Sequence, residues 1–321
     1  MTQKLDLYGI GNAIVDTEIP IEDVFFAELN LTKGSMCLID EAHLNKQLDR
    51  FKADNMTLAA GGSCANTMYA AAQLGIKTGF SGSVSSDDAG RFYMDDLRSV
   101  GIDCHFQPQQ NKALSTGRCL AYIHPDGQRT FETFLGIASD FSVKDLHLES
   151  IATAEIVYCE GFLFSTDQGF EACMEAKKQR SKKIALTLSD IFMVETFKNR
   201  FIDFLRPGNV DYLFCNESEL CAYTKQSDLQ AAANILLNCC KVLVVTQADQ
   251  GATVFTSQRS YVCKPPTYIK PLNTNGAGDA FAGGFLSAVL KGANYEDAAH
   301  QANAIAAKVI QVSGPRYHHK V

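Results

Sequence analysis

The chain has 321 residues, of which 46% are hydrophobic and 20% are charged, and its formal net charge is −7 at pH 7. This composition fits a globular protein and excludes a disordered one, and the negative charge argues against nucleic-acid partners and anionic membrane surfaces. No apolar run approaches the roughly 18 residues of a membrane span, and no apolar leader precedes the first strand-like segment. Because the cysteines are irregularly spaced, as free thiols are, we expect a cytoplasmic protein.

The glycines near the amino terminus do not complete a dinucleotide-binding fingerprint. The run Gly9-Ile10-Gly11-Asn12 follows a strand-like segment, but Ile14 stands at the position of the third glycine and no helix pattern follows. The pattern therefore argues against a dehydrogenase.

Short strand-like pieces separated by turn residues dominate the first third of the chain. They lie at residues 14–21, 35–40, 117–123 and 129–135. We predict that they form a small β lid, made by segments of about 13–40 and 104–136 inserted into an α/β body. Such a lid would exclude water from a site beneath it.

A second glycine pair, Gly61-Gly62, opens an alanine-rich helix pattern that runs to Leu74. Paired glycines allow a ligand to approach the backbone closely. Asn66 on the first turns of this helix is then a candidate ligand contact, or alternatively a solvated helix residue.

The middle of the chain repeats one unit. Apolar runs at residues 156–159, 184–188, 211–215 and 242–245 are separated by helix-like segments at 169–180, 194–205 and 228–239. Continuous apolar runs at roughly 30-residue intervals are typical of parallel strands buried on both faces. Polar residues follow each run, among them Glu160, Asp190, Asn216 and Thr246, and in a parallel sheet they would share one rim.

The stretch from Asn273 to Phe281 carries the clearest chemistry. A helix beginning near Gly276 would leave the amides of Gly276, Ala277 and Gly278 as first-turn donors, and these can cradle an anion. Asp279 is placed to accept a proton from a substrate hydroxyl, which indicates phosphoryl transfer to an alcohol. The alternative is a tight turn with an aspartate that only complements the helix dipole.

Three motifs together resemble the PfkB carbohydrate kinases. They are Gly61-Gly62-x-x-x-Asn66, Asn216-x-x-Glu219 and the run from Asn275 to Phe281. The resemblance implies a single ribokinase-like domain over residues 1–321, an α/β fold with a doubly wound, mainly parallel sheet and a small β lid. Gly11-Asn12-x-x-x-Asp16, Glu160-Gly161 and the run from Thr187 to Asp190 are similar to the adenosine kinase branch, especially its bacterial members.

The resemblance also implies roles for individual residues. Asp279 would be the catalytic base, beside an anion hole formed by Gly276, Ala277 and Gly278. The acceptor and the phosphates would be bound by Asn12, Asp16, Gly61, Gly62, Asn66 and Arg129. The donor ATP would be bound by Asn216, Thr246, Gly278 and Asn303, with Glu219 holding Mg²⁺ through water.

Two positions depart from the family pattern. Asn273 stands where an aspartate usually helps to bind a monovalent cation, which puts activation by K⁺ in doubt. Ala248 stands where a glycine is usual, near the donor nucleotide.

The sequence therefore predicts an ATP-dependent kinase of the 5′-hydroxyl of a ribonucleoside, with adenosine as the leading acceptor. A kinase of ribose, fructose or a related furanose is the alternative within the family. A non-catalytic nucleotide- or sugar-binding regulator is the alternative from another class. A monomer and a homodimer both remain open.

Overall fold

The computed structural model describes residues 4–51, 56–106, 108–109, 114–180, 182–206, 210–265 and 267–319. Its strands are β1 Leu7–Ile10, β2 Ile14–Pro20, β3 Met36–Leu38, β4 Thr57–Ala60, β5 Thr78–Ser81, β6 Asp103–Cys104, β7 Gly117–Ile123, β8 Arg129–Phe134, β9 Ile156–Glu160, β10 Lys183–Thr187, β11 Val210–Asn216, β12 Cys240–Thr246, β13 Ala252–Thr256 and β14 Ser260–Cys263. Its α-helices are α1 Asp23–Ala27, α2 Glu41–Arg50, α3 Ser63–Gln73, α4 Asp88–Ser99, α5 Leu148–Thr153, α6 Asp167–Gln179, α7 Ile191–Thr196, α8 Lys198–Phe204, α9 Glu217–Thr224, α10 Leu229–Leu236, α11 Ala277–Leu290 and α12 Tyr295–Val309. None of the helices in these ranges is long and apolar enough to cross a bilayer.

A nine-stranded sheet forms the body, in the order β14-β13-β12-β11-β10-β9-β1-β5-β6. Every pair from β12 to β6 is parallel, and β13 and β14 extend one edge in antiparallel pairing. The four apolar runs predicted as parallel strands are the adjacent strands β9 to β12, so their carboxyl ends do share one rim.

Helices cover both faces of this sheet. Along β9, Ile156 and Tyr158 join a core with helices α3, α4, α11 and α12, whereas Val157 and Cys159 join a core with α6, α8 and α10 on the other face. This alternation follows from the two-residue period of a strand. The predicted doubly wound α/β fold is confirmed.

A second sheet of five strands, β3-β8-β7-β2-β4, lies beside the body. One face packs on α1 and α2 through a small apolar core that includes Leu120 and Tyr122. The other face turns Asp16, Arg129 and Phe131 toward a large cavity. The sheet contains the four predicted strand pieces and also Thr57–Ala60, which the sequence analysis left out.

One predicted helix is wrong in its extent. Residues 194–205 form parts of two helices, α7 and α8, which are separated by Phe197 at φ −112° and ψ 27°. The break lets Val194 and Phe201 pack into the same core from two helix directions. Apolar periodicity alone did not reveal it, because both halves keep their apolar residues.

Ala248 carries backbone strain that glycine would remove. It lies in the turn after β12 at φ +49°, a left-handed conformation that costs an L-residue roughly 1–2 kcal/mol. We expect Ala248→Gly to raise the free energy of unfolding by up to ~1 kcal/mol, measured by urea denaturation. Ala231→Gly, within helix α10, is the control and should lower stability by roughly 0.5–1 kcal/mol. Equal losses in both variants would contradict the assignment of strain.

Candidate active site

A cavity of about 910 Å³ opens where the rim of the large sheet meets the small sheet. This volume is near the upper end for a small-molecule site. It collects predicted residues from all parts of the chain: Asn12, Asp16, Gly62, Asn66, Arg129, Asn216, Glu219, Thr246, Gly276, Ala277, Gly278, Asp279 and Asn303. Gly61 lies behind this wall, against Asp16.

The amino terminus of helix α11 points its free amides at the cavity. Gly276 caps the helix at φ +74°, and a Cβ there would lie 2.1 Å from the carbonyl oxygen of Pro315, so only glycine fits. Helical bonding begins with the amide of Ala280, which donates to Gly276 O at 2.8 Å. The amide of Ala277, which the sequence predicted as a donor to the anion, instead donates to Thr274 O at 3.3 Å. The amides of Gly278 and Asp279 precede the first helical bond, and the helix cannot satisfy them. They are the donors an anion would meet.

Both carboxylate oxygens of Asp279 accept hydrogen bonds from helix α3. Ser63 Oγ donates to Oδ1 at 2.6 Å, and Asn66 Nδ2 donates to Oδ2 at 3.0 Å. Desolvation raises the pKa of Asp279, while these two hydrogen bonds and the charge of Arg129 lower it. Asp279 is only half-buried as a residue and lines the cavity, where a hydroxyl proton could reach it.

Asp16 lies on β2 in the wall formed by the small sheet. Its Oδ2 accepts a hydrogen bond from Asn275 Nδ2 at 2.9 Å. A Cβ at Gly61 would lie 2.3 Å from Asp16 Oδ1, so glycine makes room for the carboxylate. Burial raises the pKa of Asp16 to about 7.

Glu160 ties the loop after β1 to the start of helix α3. Its carboxylate accepts from the amide of Asn12 at 2.8 Å and from that of Cys64 at 2.7 Å. Burial raises its pKa to about 7, against the effect of these two hydrogen bonds. Glu160 therefore fixes the backbone on which Asn12 is presented to the cavity.

The far side of the cavity carries Asn216 and Glu219 in a capping box at the start of helix α9. The amide of Glu219 donates to Asn216 Oδ1 at 2.8 Å, and the amide of Asn216 donates back to Glu219 Oε2 at 3.2 Å. Burial raises the pKa of Glu219 to about 8. Within the described residues no three His, Cys, Asp or Glu side chains are grouped to hold a metal directly. This pair fits Mg²⁺ that keeps its waters, since such an ion needs few protein ligands.

Arg129 offers an unsatisfied donor. Its Nη1 donates to Thr274 Oγ1 at 2.5 Å, while its Nε is buried without a partner in the described part of the chain. Burial lowers its pKa, and the nearby Asp279 and Asp16 raise it. A guanidinium with a free N–H beside the helix α11 amides fits a polyphosphate.

Thr246 and Asn303 also line the cavity. Thr246 ends strand β12, and its hydroxyl contacts Cys215 O at 3.5 Å. Asn303, on helix α12, is buried and donates to Cys263 O at 2.8 Å. Both side chains line the cavity but are held by the protein backbone.

The sequence analysis missed four hydrogen bonds of the site. Ser63 and Asn275 stand within motifs that were noticed, but their partners are 216 and 259 residues away in the chain. Arg316 donates to Asn66 Oδ1 at 2.8 Å from beyond helix α12, where no local pattern marks it. Asn66 itself bonds to Asp279, a partner that its helix pattern did not indicate.

Asn273 is fixed on both sides of its amide. Its Nδ2 donates to the buried Glu18 at 2.5 Å, and its Oδ1 accepts from the amide of Asn275 at 2.8 Å. The second bond is an Asx turn, the structural role expected of asparagine before a helix. Burial raises the pKa of Glu18, while hydrogen bonds from Gly314 and Asn273 lower it.

Comparison with known proteins gives one consistent set of relatives. Residues 29–320 match the pfkB family carbohydrate kinase model. The adenosine kinase of Saccharomyces cerevisiae is 28% identical over 97% of this chain and 96% of its own length. Crystal structures of an adenosine kinase from Sinorhizobium meliloti and of a probable sugar kinase from Rhizobium etli are 29% and 30% identical. Both have a TM-score of 0.94 and cover 99% of this chain and 97% of their own.

A substitution at Gly278 tests whether the start of helix α11 binds an anion or is only a tight turn. A Cβ at this position meets nothing within 4 Å, so Gly278→Ala should fold normally and gain roughly 0.5–1 kcal/mol from helix propensity. If an anion sits on these amides, the methyl group obstructs it and ATP binding should weaken at least ~10-fold, or about 1.4 kcal/mol. Isothermal titration calorimetry measures the binding and thermal unfolding controls for the fold. Unchanged ATP affinity would leave Gly278 as a turn residue only.

Proposed function

The chain belongs to the pfkB family of carbohydrate kinases, and we propose that it transfers the γ-phosphate of ATP to the 5′-hydroxyl of adenosine. The observation that favours a nucleoside acceptor is an apolar part of the cavity wall. Met36 and Phe131 pair across strands β3 and β8, and Phe162 joins them at the cavity. Met36 is buried by the protein itself, but Phe131 and Phe162 are half-buried. A purine base would cover these two rings, whereas a free sugar would leave them facing water.

Asp16 and Asp279 would act on different parts of the acceptor. The Asp16 carboxylate suits two ribose hydroxyls, because an ionised carboxylate accepts several hydrogen bonds. Asp279 would take the proton from the 5′-hydroxyl. Its hydrogen bonds from Ser63 and Asn66 lower its pKa and so favour the ionised form that can accept this proton.

The phosphoryl group would then move between two oxygens. The 5′-oxygen attacks the γ-phosphorus, the bond to the β–γ bridging oxygen breaks, and ADP leaves. The amides of Gly278 and Asp279 and the guanidinium of Arg129 would offset the charge on the transferring group. Mg²⁺, when bound through water near Glu219, supplies further neutralisation of the phosphates.

The small sheet would serve as a lid over this reaction. Its strands β2 and β8 contribute Asp16 and Arg129, so bound acceptor would connect the two sheets. Exclusion of water by such a cover limits wasteful hydrolysis of ATP. The eleven cysteines are all unpaired, which supports the reducing cytoplasm as the compartment.

An acceptor panel tests the function. Protein is mixed with MgATP and adenosine, other nucleosides, ribose or fructose, and ADP is measured against a mixture without acceptor. We expect adenosine to give the highest kcat/KM, with ribose and fructose at least ~10-fold lower. Asp279→Asn should lower kcat at least ~10²-fold while ATP binding stays near wild type.

Each of the other outcomes would indicate a different function for this protein. A sugar that outperforms every nucleoside would make this a sugar kinase, in line with the name of the Rhizobium etli relative. No ADP with any acceptor would favour a binding regulator. An Asp279→Asn variant that keeps more than about a tenth of wild-type kcat would reduce Asp279 to a helix residue.

The fixed amide of Asn273 predicts weak or absent activation by potassium. Asn273→Asp would set a second carboxylate against Glu18, and a bound cation would offset their repulsion. Activity is measured in K⁺ and in Na⁺ at constant ionic strength. We expect the variant to gain K⁺ activation, whereas strong activation of the unmodified enzyme that Asn273→Asp leaves unchanged would contradict the prediction.

A further inference from the structure

Arg316 is a fully enclosed arginine next to the site. The residue is 2% exposed, and its guanidinium carbon lies 5.1 and 5.7 Å from the ring centroids of Tyr69 and Tyr93. Nη1 pairs with Asp96 on helix α4, and Nη2 donates to the carbonyl oxygen of Gly61 at 2.8 Å. Nε donates to Asn66 Oδ1 at 2.8 Å.

The last of these bonds determines the orientation of an amide. An arginine nitrogen can only donate, so it selects the oxygen of Asn66. The Asn66 NH₂ group must then face the other way, toward Asp279 Oδ2 at 3.0 Å. If the amide were flipped, its oxygen would meet the carboxylate and its NH₂ would meet the guanidinium, and both contacts would be repulsive.

We propose that Arg316 is a positioning residue for Asp279, acting through Asn66. This inference rests on the proposed function, in which Asp279 is the base. Arg316 does not itself line the cavity, and none of its three hydrogen bonds goes to Asp279. Its ion pair and its aromatic contacts are those that an arginine with a purely structural role would also make. The Nε bond is what connects it to the chemistry.

The charge of Arg316 acts in the same direction as this bond. Desolvation raises the pKa of Asp279, and Ser63, Asn66, Arg129 and Arg316 lower it. The other ionisable groups that interact with Asp279 are Asp16, Glu160, Glu219, Tyr158 and Cys64. A base works when it is ionised, so loss of Arg316 should move the rise of activity with pH to higher pH.

Steady-state kinetics across pH, with saturating adenosine and MgATP, test the proposal. For Arg316→Met we expect kcat to fall about 10- to 100-fold and its acid limb to shift upward, while the KM for ATP changes little. Arg316→Lys keeps the positive charge but cannot bond to all three partners of the guanidinium, so it should shift the acid limb less. It can be measured in place of Arg316→Met if the methionine variant fails to fold. Arg200→Met is the matched control, because Arg200 also bonds a backbone carbonyl, pairs with an aspartate and lies over aromatic rings, away from Asp279.

A double-mutant cycle with Asn66→Ala tests the route. If Arg316 acts through Asn66, the double variant should lose little more than Asn66→Ala alone. The proposal would be overturned if the losses of kcat in the two single variants multiplied in the double variant. It would also be overturned if the acid limb of Arg316→Met did not shift, which is the result expected for the control Arg200→Met.

An NMR titration of Asp279 does not depend on catalytic activity, so it tests this inference separately from the proposed function. In protein labelled with carboxyl-¹³C aspartate, the Asp279 signal is assigned by its absence in Asp279→Asn. It should titrate at higher pH in Arg316→Met than in wild type. Wild type that phosphorylates no acceptor would defeat the proposed function alone, whereas an unmoved Asp279 titration would defeat the positioning role alone.

Discussion

The hydrogen bonds from helix α3 to Asp279 are the contacts on which the site depends. A carboxylate deep in a cavity loses solvation, and each charge-assisted bond from Ser63 and Asn66 returns roughly 1.5–3 kcal/mol. These bonds require the amino termini of helices α3 and α11 to meet closely. Both are capped by glycines with positive φ, Gly62 at +83° and Gly276 at +74°, and a Cβ at either would lie within 2.5 Å of a backbone oxygen. The two glycines are therefore needed for the close approach of the backbone segments, whether or not they also contact a ligand.

The cavity divides its chemistry between the two sheets. The small sheet supplies Asp16 and Arg129, whereas the rim of the large sheet supplies Asn216 and Glu219. Helix α11 lies where these walls meet, so its amides face ligands held by either one. In the proposed function, an acceptor held by the small sheet and a donor held by the rim would meet at Asp279. It also explains why three carboxyl groups outside the reaction centre can have raised pKa values near neutrality: they are buried by the same convergence of walls.

The sequence predicted what depends on local pattern. Continuous apolar runs gave the parallel strands β9 to β12, and the glycines before Asp279 gave the start of helix α11. It could not reveal partners that are distant in the chain, such as Arg316 and Asn66, which are 250 residues apart. Strand β4 escaped because half of it is exposed, so it has no buried apolar run. Helices α1 and α2 were not predicted either, although Phe26 and Leu44 on them share a buried core with Tyr122.

The order of strands in the large sheet has a consequence for synthesis on the ribosome. Strand β1 pairs with β5 on one side and with β9 on the other, and Leu7 faces Ile156 in that second pair. Nascent β1 must therefore keep one edge unpaired until about half of the chain has emerged, and closing so long a loop is slow. From β9 onward the strands add outward in chain order. The hydrogen bond from the amide of Asn12 to Glu160 spans the same junction, so the part of the cavity that Asn12 lines forms only when that late pairing does. Until then the exposed edge is a point at which chaperones or aggregation can act.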